Sequence, residues 1–128
     1  MDLFGDVSEL KKHMKDCKLP FKDAIIDYYR MLGERHGFTV LTNSTEIVNS
    51  LDYGKIDLVW VEPNIVFIAE FGLLEDIYRH LFKALVVKPS KACLLLSSKS
   101  KCSPEKVREI VSKTPELAGI EFTIIDVA

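Results

Sequence analysis

The chain has 128 residues, 48% hydrophobic and 28% charged, with a net charge of −2 and a pI near 5.9. That is the composition of one folded domain with a core of its own, and it excludes a disordered chain. The slightly acidic balance argues against indiscriminate nucleic-acid binding, which needs a basic surplus, and leaves room only for a local basic face.

Residues 7–16 read as a short helix with Val7, Leu10 and Met14 on one side, ended by Lys18-Leu19-Pro20. Phe21, Ile25, Tyr28 or Tyr29, and Leu32 keep the helical period over 21–36, and Gly37 suits the position just past a helix end. Phe38 to Thr42 is a strand candidate, whereas 43–54 has no clear period and reads as a loop with a short helical or extended piece. Lys55 to Gly72, KIDLVWVEPNIVFIAEFG, is two apolar runs around Pro63-Asn64, the pattern of a β-hairpin. Leu58 and Trp60 on one side, with Val59 and Val61 on the other, mark a strand covered on both faces. A helix over 73–87, a buried strand over 92–98, a helix opened by Ser103-Pro104 and a last strand over 120–127 complete the chain. The expected fold is α/β (α+β): a mixed central β-sheet flanked by helices, in a single domain over 1–128. Within it, 21–98 is the core, 1–20 an N-terminal helix and 103–128 a C-terminal helix and strand.

The hairpin carries one acid in each strand, Asp57 and Glu70. A two-residue loop at Pro63-Asn64 or a four-residue loop over 62–65 gives the same register and sets the two acids directly opposite one another. Proline cannot adopt the positive φ of a type I′ turn, which favours the four-residue loop. Facing carboxylates repel, and burial worsens the repulsion, so a proton, a cationic side chain or a divalent ion must compensate. Two such carboxylates supply part of an octahedral oxygen site for Mg²⁺ or Mn²⁺. Without a cation, neutralising one acid should stabilise the protein.

The stretch HGFTVLTN…GKIDLVWVEPNIVFIAEFG resembles the restriction-endonuclease-like, PD-(D/E)xK nuclease superfamily, and within it the small archaeal Holliday-junction-resolvase-like enzymes. The resemblance covers about residues 21–98. It implies a divalent-metal-dependent nuclease, with Asp57, Glu70 and the carbonyl of Phe71 as metal ligands and an acid of the first core helix, Asp27 or Asp23, joining them. Gly72 stands where that family has its catalytic lysine, and Ile56 where it has the motif proline. Lys83, Arg79 and His80, on the following helix, are candidates to supply the missing cation, with Lys83 taken as the catalytic residue. Their simpler reading is a solvated face, with Glu75–Arg79 and Asp76–His80 at i,i+4 spacing. The implied partner is nucleic acid, with a homodimer plausible on the same resemblance. The alternative is a catalytically inactive module of this fold that binds nucleic acid or protein.

Lys11–Lys15 and Ser97–Lys106 are locally basic and read as solvated surface, and His13 and His36 read as surface residues without partners. Cys17, Cys93 and Cys102 lack metal-ligand spacing, and with no leader-like opening they favour a reducing, cytoplasmic setting. No apolar run approaches the ~20 residues needed to span a membrane.

Overall fold

The computed structural model describes residues 3–48 and 51–128, and side chains outside 44–53. Its elements are α1 (Val7–Asp16), α2 (Phe21–Arg35), β1 (Val40–Val48), β2 (Leu51–Trp60), β3 (Ile65–Ala69), α3 (Asp76–Val87), β4 (Lys91–Leu96), α4 (Pro104–Ser112) and β5 (Glu121–Asp126). The strands form one mixed sheet in the order β1-β2-β3-β4-β5. The β1–β2 and β2–β3 pairs are antiparallel, and the β3–β4 and β4–β5 pairs are parallel.

This topology dictates the layers. The crossovers β3-α3-β4 and β4-α4-β5 step the same way across the sheet. Crossovers of one hand therefore put α3 and α4 on one face. There Ile77, Leu81 and Val107 pack on Ile68, Leu94 and Leu96. The other face is covered by α1 and α2, whose Leu10, Ile25, Tyr28, Tyr29 and Leu32 meet Leu58, Trp60, Phe67, Cys93 and Leu95. With helices on both sides, all five residues of β3 are buried.

Trp60 anchors the α2 face. Its ring is fully buried, 4.6 Å from that of Phe67, and its Nε1 donates to the Tyr29 carbonyl at 3.0 Å. The indole lies against Gly33, where an added Cβ would overlap it. α2 ends as expected at Gly37, with φ +86°, and the Phe38 amide returns to the Gly33 carbonyl. Asp6 caps α1 and Ser103 caps α4 with its side-chain oxygen.

The largest departure lies in 43–54. It is not a loop: β1 runs on to Val48 and β2 starts at Leu51, so most of it is a long hairpin arm. Residues 49 and 50 fall outside the described part. The arm was hidden because its polar and apolar residues do not alternate cleanly, and the β1–β2 register slips between Thr45 and Ile47. The strand expected over 38–42 therefore extends further, and the helix expected over 73–87 begins three residues later, at Asp76.

Candidate functional site

The β2–β3 turn has four residues, one position earlier than expected: Trp60 pairs with Ile65 around 61–64. Asn64 takes the positive φ of 55° that this turn requires. Glu62 secures it, accepting from the Thr39 amide and the Thr39 hydroxyl, both at 2.6 Å. The pairs are Trp60–Ile65, Val59–Val66 and Leu58–Phe67, a register two residues from the expected one. Asp57 is therefore not opposite Glu70. The paired ladder ends at Leu58, and the Asp57 carboxylate takes over: its Oδ2 accepts the Ala69 amide at 3.0 Å. Beyond that point β2 continues with β1, while β3 stays with β4 through the Glu70 amide, which donates to the Leu95 carbonyl. Asp57 and Glu70 flank the mouth where the two strands part.

Each acid is compensated. Lys22 of α2 places Nζ 3.2 Å from Asp57 Oδ1. Glu70 Oε1 is 2.9 Å from His80 Nε2, and Oε2 accepts the Gly72 amide at 2.9 Å. A carboxylate only accepts, so the Nε2 of His80 carries the proton. The side chains of Asp57 and Glu70 are 16% and 14% exposed, so the bond to His80 is largely withdrawn from water, whereas the Gly72 amide and Lys22 stay open to it.

α3 delivers the cations. Its buried stripe of Ile77, Leu81 and Ala84 also includes His80 and Lys83, which are 7% and 5% exposed. This corrects the solvated-face reading for both, and His80 pairs with Glu70 rather than Asp76. Arg79 stays exposed. Lys83 lies against the bare backbone of Gly54, and its Nζ donates to the Lys55 carbonyl at 2.8 Å. Burial lowers the Lys83 pKa, Arg79 and Lys22 push the same way, and Asp57 and Glu70 pull it back up. Burial also lowers the His80 pKa, against the upward pull of its bond to Glu70. Both acids thus act on both buried bases. His80 Nδ1 is buried and has no hydrogen-bond partner among the described residues.

The remaining candidates are Asp27, Asp23 and Phe71. Asp27 lines a cleft of about 270 Å³ with Asp23, Lys22, Arg30 and Asp57, but its own oxygens are held by His13 at 2.9 Å and Arg30 at 2.8 Å. His13 is therefore not a partnerless surface residue, and neither is His36, whose Nε2 lies 3.0 Å from the Leu3 carbonyl. The ring of Phe71 packs on Phe21 at 5.0 Å. Among the described residues no three His, Cys, Asp or Glu side chains gather as a metal-holding group. Carboxylates are the oxygen donors that Mg²⁺ or Mn²⁺ take, but all four oxygens of Asp57 and Glu70 already have partners. Half-exposed Lys22 already provides a positive charge at Asp57 that such an ion would replace.

Among the described residues, no helix is long and apolar enough to cross a membrane. Searches for a matching family model, curated protein or solved structure found none.

Proposed function

We propose that the protein is a divalent-metal-dependent phosphodiesterase of nuclease type acting on nucleic acid, with Asp57 and Glu70 as metal ligands and Lys83 in place of the absent lysine at Gly72. The observation that supports this reading is that two part-buried carboxylates, Asp57 and Glu70, sit where β2 and β3 part, with a buried lysine, Lys83, held by the Lys55 carbonyl two residues from Asp57. A bound divalent ion would polarise the phosphoryl oxygen and acidify a water. The chain's own contribution is positional. Asp57 is fixed by the Ala69 amide, Glu70 by His80 and Gly72, and Lys83 by the Lys55 carbonyl, so the charges are set before a substrate arrives.

The test is cleavage of end-labelled single-stranded and duplex DNA and RNA in Mn²⁺ or Mg²⁺. The proposal expects cleavage by the parent, a loss of roughly a hundredfold or more in Asp57→Asn and Lys83→Met, and little change in Arg79→Ala. It also expects Mn²⁺ to raise the melting temperature of the parent and not of Asp57→Asn, because a ligand of the folded state stabilises by mass action. No cleavage and no metal-induced shift would leave the second reading, a catalytically inactive module of the same fold. What favours that reading is that all four oxygens of the two carboxylates already have partners.

A further inference from the structure

Beside the carboxylates the surface changes character. Past Gly72, the segment leading into α3 and the first turns of that helix face the β4–α4 loop and the start of α4 across an open trough of about 590 Å³. Leu73, Leu74 and Tyr78 give it an apolar side, and Lys101 and Lys106 a basic one, with Glu75 the one acid lining it among the described residues. Tyr78 is 55% exposed and Leu73 46%, large apolar surfaces for residues next to a packed core. The lysines are not on a loose strand. The Ser100 hydroxyl lies 2.9 Å from the Ser97 carbonyl and 3.1 Å from that of Cys102, which fixes the loop presenting Lys101. Lys106 sits in the first turn of α4.

An exposed aromatic ring beside two exposed lysines on a held backbone is the combination that holds single strands: the ring stacks on a base and the cations take the flanking phosphates. A duplex keeps its base faces stacked inside and has none to offer such a ring. We propose that this trough seats a single-stranded nucleic-acid segment, with a base on Tyr78 and phosphates on Lys101 and Lys106, and leads the strand past Gly72 toward Glu70. The inference rests on the nucleic-acid reading of the neighbouring site but not on catalysis.

The test is fluorescence anisotropy with a labelled oligothymidylate in EDTA, where no cleavage can occur. The parent should bind it in preference to a blunt duplex. Tyr78→Ala should weaken binding about tenfold and Tyr78→Trp should retain it. Lys101→Ala and Lys106→Ala should each lower the salt slope of binding by about 0.7. Tyr78 is exposed, so its variants should fold, and circular dichroism checks this. Equal binding by parent and Tyr78→Ala, or a duplex that competes as well as the single strand, would overturn the proposal, as would no binding at all. Cleavage of duplex without binding of the oligothymidylate would refute the trough and leave the enzyme. Binding without cleavage would do the reverse.

Discussion

Glu70→Gln separates two accounts of why an acid sits at the end of β3. If the acids only repelled each other, removing one charge would stabilise the metal-free protein. The structure gives the opposite sign. Glu70 spends one oxygen on His80 Nε2–H and the other on the Gly72 amide, both at 2.9 Å. Glutamine offers one acceptor and one donor, so one of those two N–H groups loses its acceptor. With the amide NH₂ toward Gly72, two donors face each other. With it toward His80, the ring must move its proton to Nδ1, which is buried and has no partner among the described residues. Leaving the buried His80 ring with an unsatisfied donor costs about 1–2 kcal/mol, and the cost is smaller where the exposed Gly72 amide is the donor left to water. For a domain of this size the larger cost is a fall in melting temperature of about 4–8 °C. Thermal unfolding of parent and variant in EDTA reads it directly, and the His80 ring ¹⁵N shifts report which orientation the amide takes. A variant as stable as the parent, or more stable, would refute the reasoning and restore repulsion as the dominant effect.

Two further outcomes follow from the packing and from the α1–α2 contact. Gly33→Ala would place a Cβ 2.7 Å from Trp60 Cδ1 and 2.9 Å from Cε2, pushing the indole off the Tyr29 carbonyl. The expected loss is about 2–3 kcal/mol in urea unfolding, and a loss under about 0.5 would contradict this packing. At Asp27, burial pushes the carboxyl pKa up, but hydrogen bonds from Arg30 and His13 and their charges outweigh it, and the net shift is downward from 3.8. A depressed folded-state pKa contributes stability that is present above the unfolded value and lost as pH falls through the folded one. Asp27→Asn should therefore be less stable than the parent at about pH 7, with the gap closing as pH falls below 3.8. A gap that stays constant through that range would dismiss the linkage.

The parts of the fold legible in the sequence are those where local signals agree. Ser103-Pro104, Gly37 and the apolar period of α2 fixed helix ends that the structure reproduces. The arm was illegible because its strands run past the end of the β2–β3 ladder with a register slip between Thr45 and Ile47, so its residues show no clean alternation. The acids themselves could be found, because a carboxylate in an apolar hairpin demands a partner. The partners could not, since Lys22 and the Ala69 amide come from distant chain positions. His80 and Lys83 are a different case. Ile77, Leu81 and Ala84 mark the buried face of α3, and His80 lies three residues after Ile77 and four before Ala84. The helical period contained the signal, and the competing i,i+4 charge pairs obscured it.

Gly72 and Lys83 bear on each other. Gly72 has no positive φ, so its backbone conformation does not call for glycine. Its surroundings are tight: a Cβ there would lie 3.0 Å from Glu70 Oε2 and 3.2 Å from Asp76 Oδ2, so both carboxylates would have to give by a few tenths of an ångström. As glycine, the position supplies no cation of its own. Under the proposed function, the cation must then reach the site from another element. The only lysine of α3, Lys83, is buried beside Gly54, with its charge balanced between the pull of Asp57 and Glu70 and the push of Arg79 and Lys22. Burying an ammonium is costly unless nearby acids and a hydrogen bond offset it, and here Asp57, Glu70 and the Lys55 carbonyl offset it only in part, since the Lys83 pKa stays lowered. A lysine held this way in a merely structural role would be replaceable by methionine of similar volume at little cost in stability. Loss of cleavage in Lys83→Met with the fold intact is therefore the result that separates a catalytic cation from a structural one.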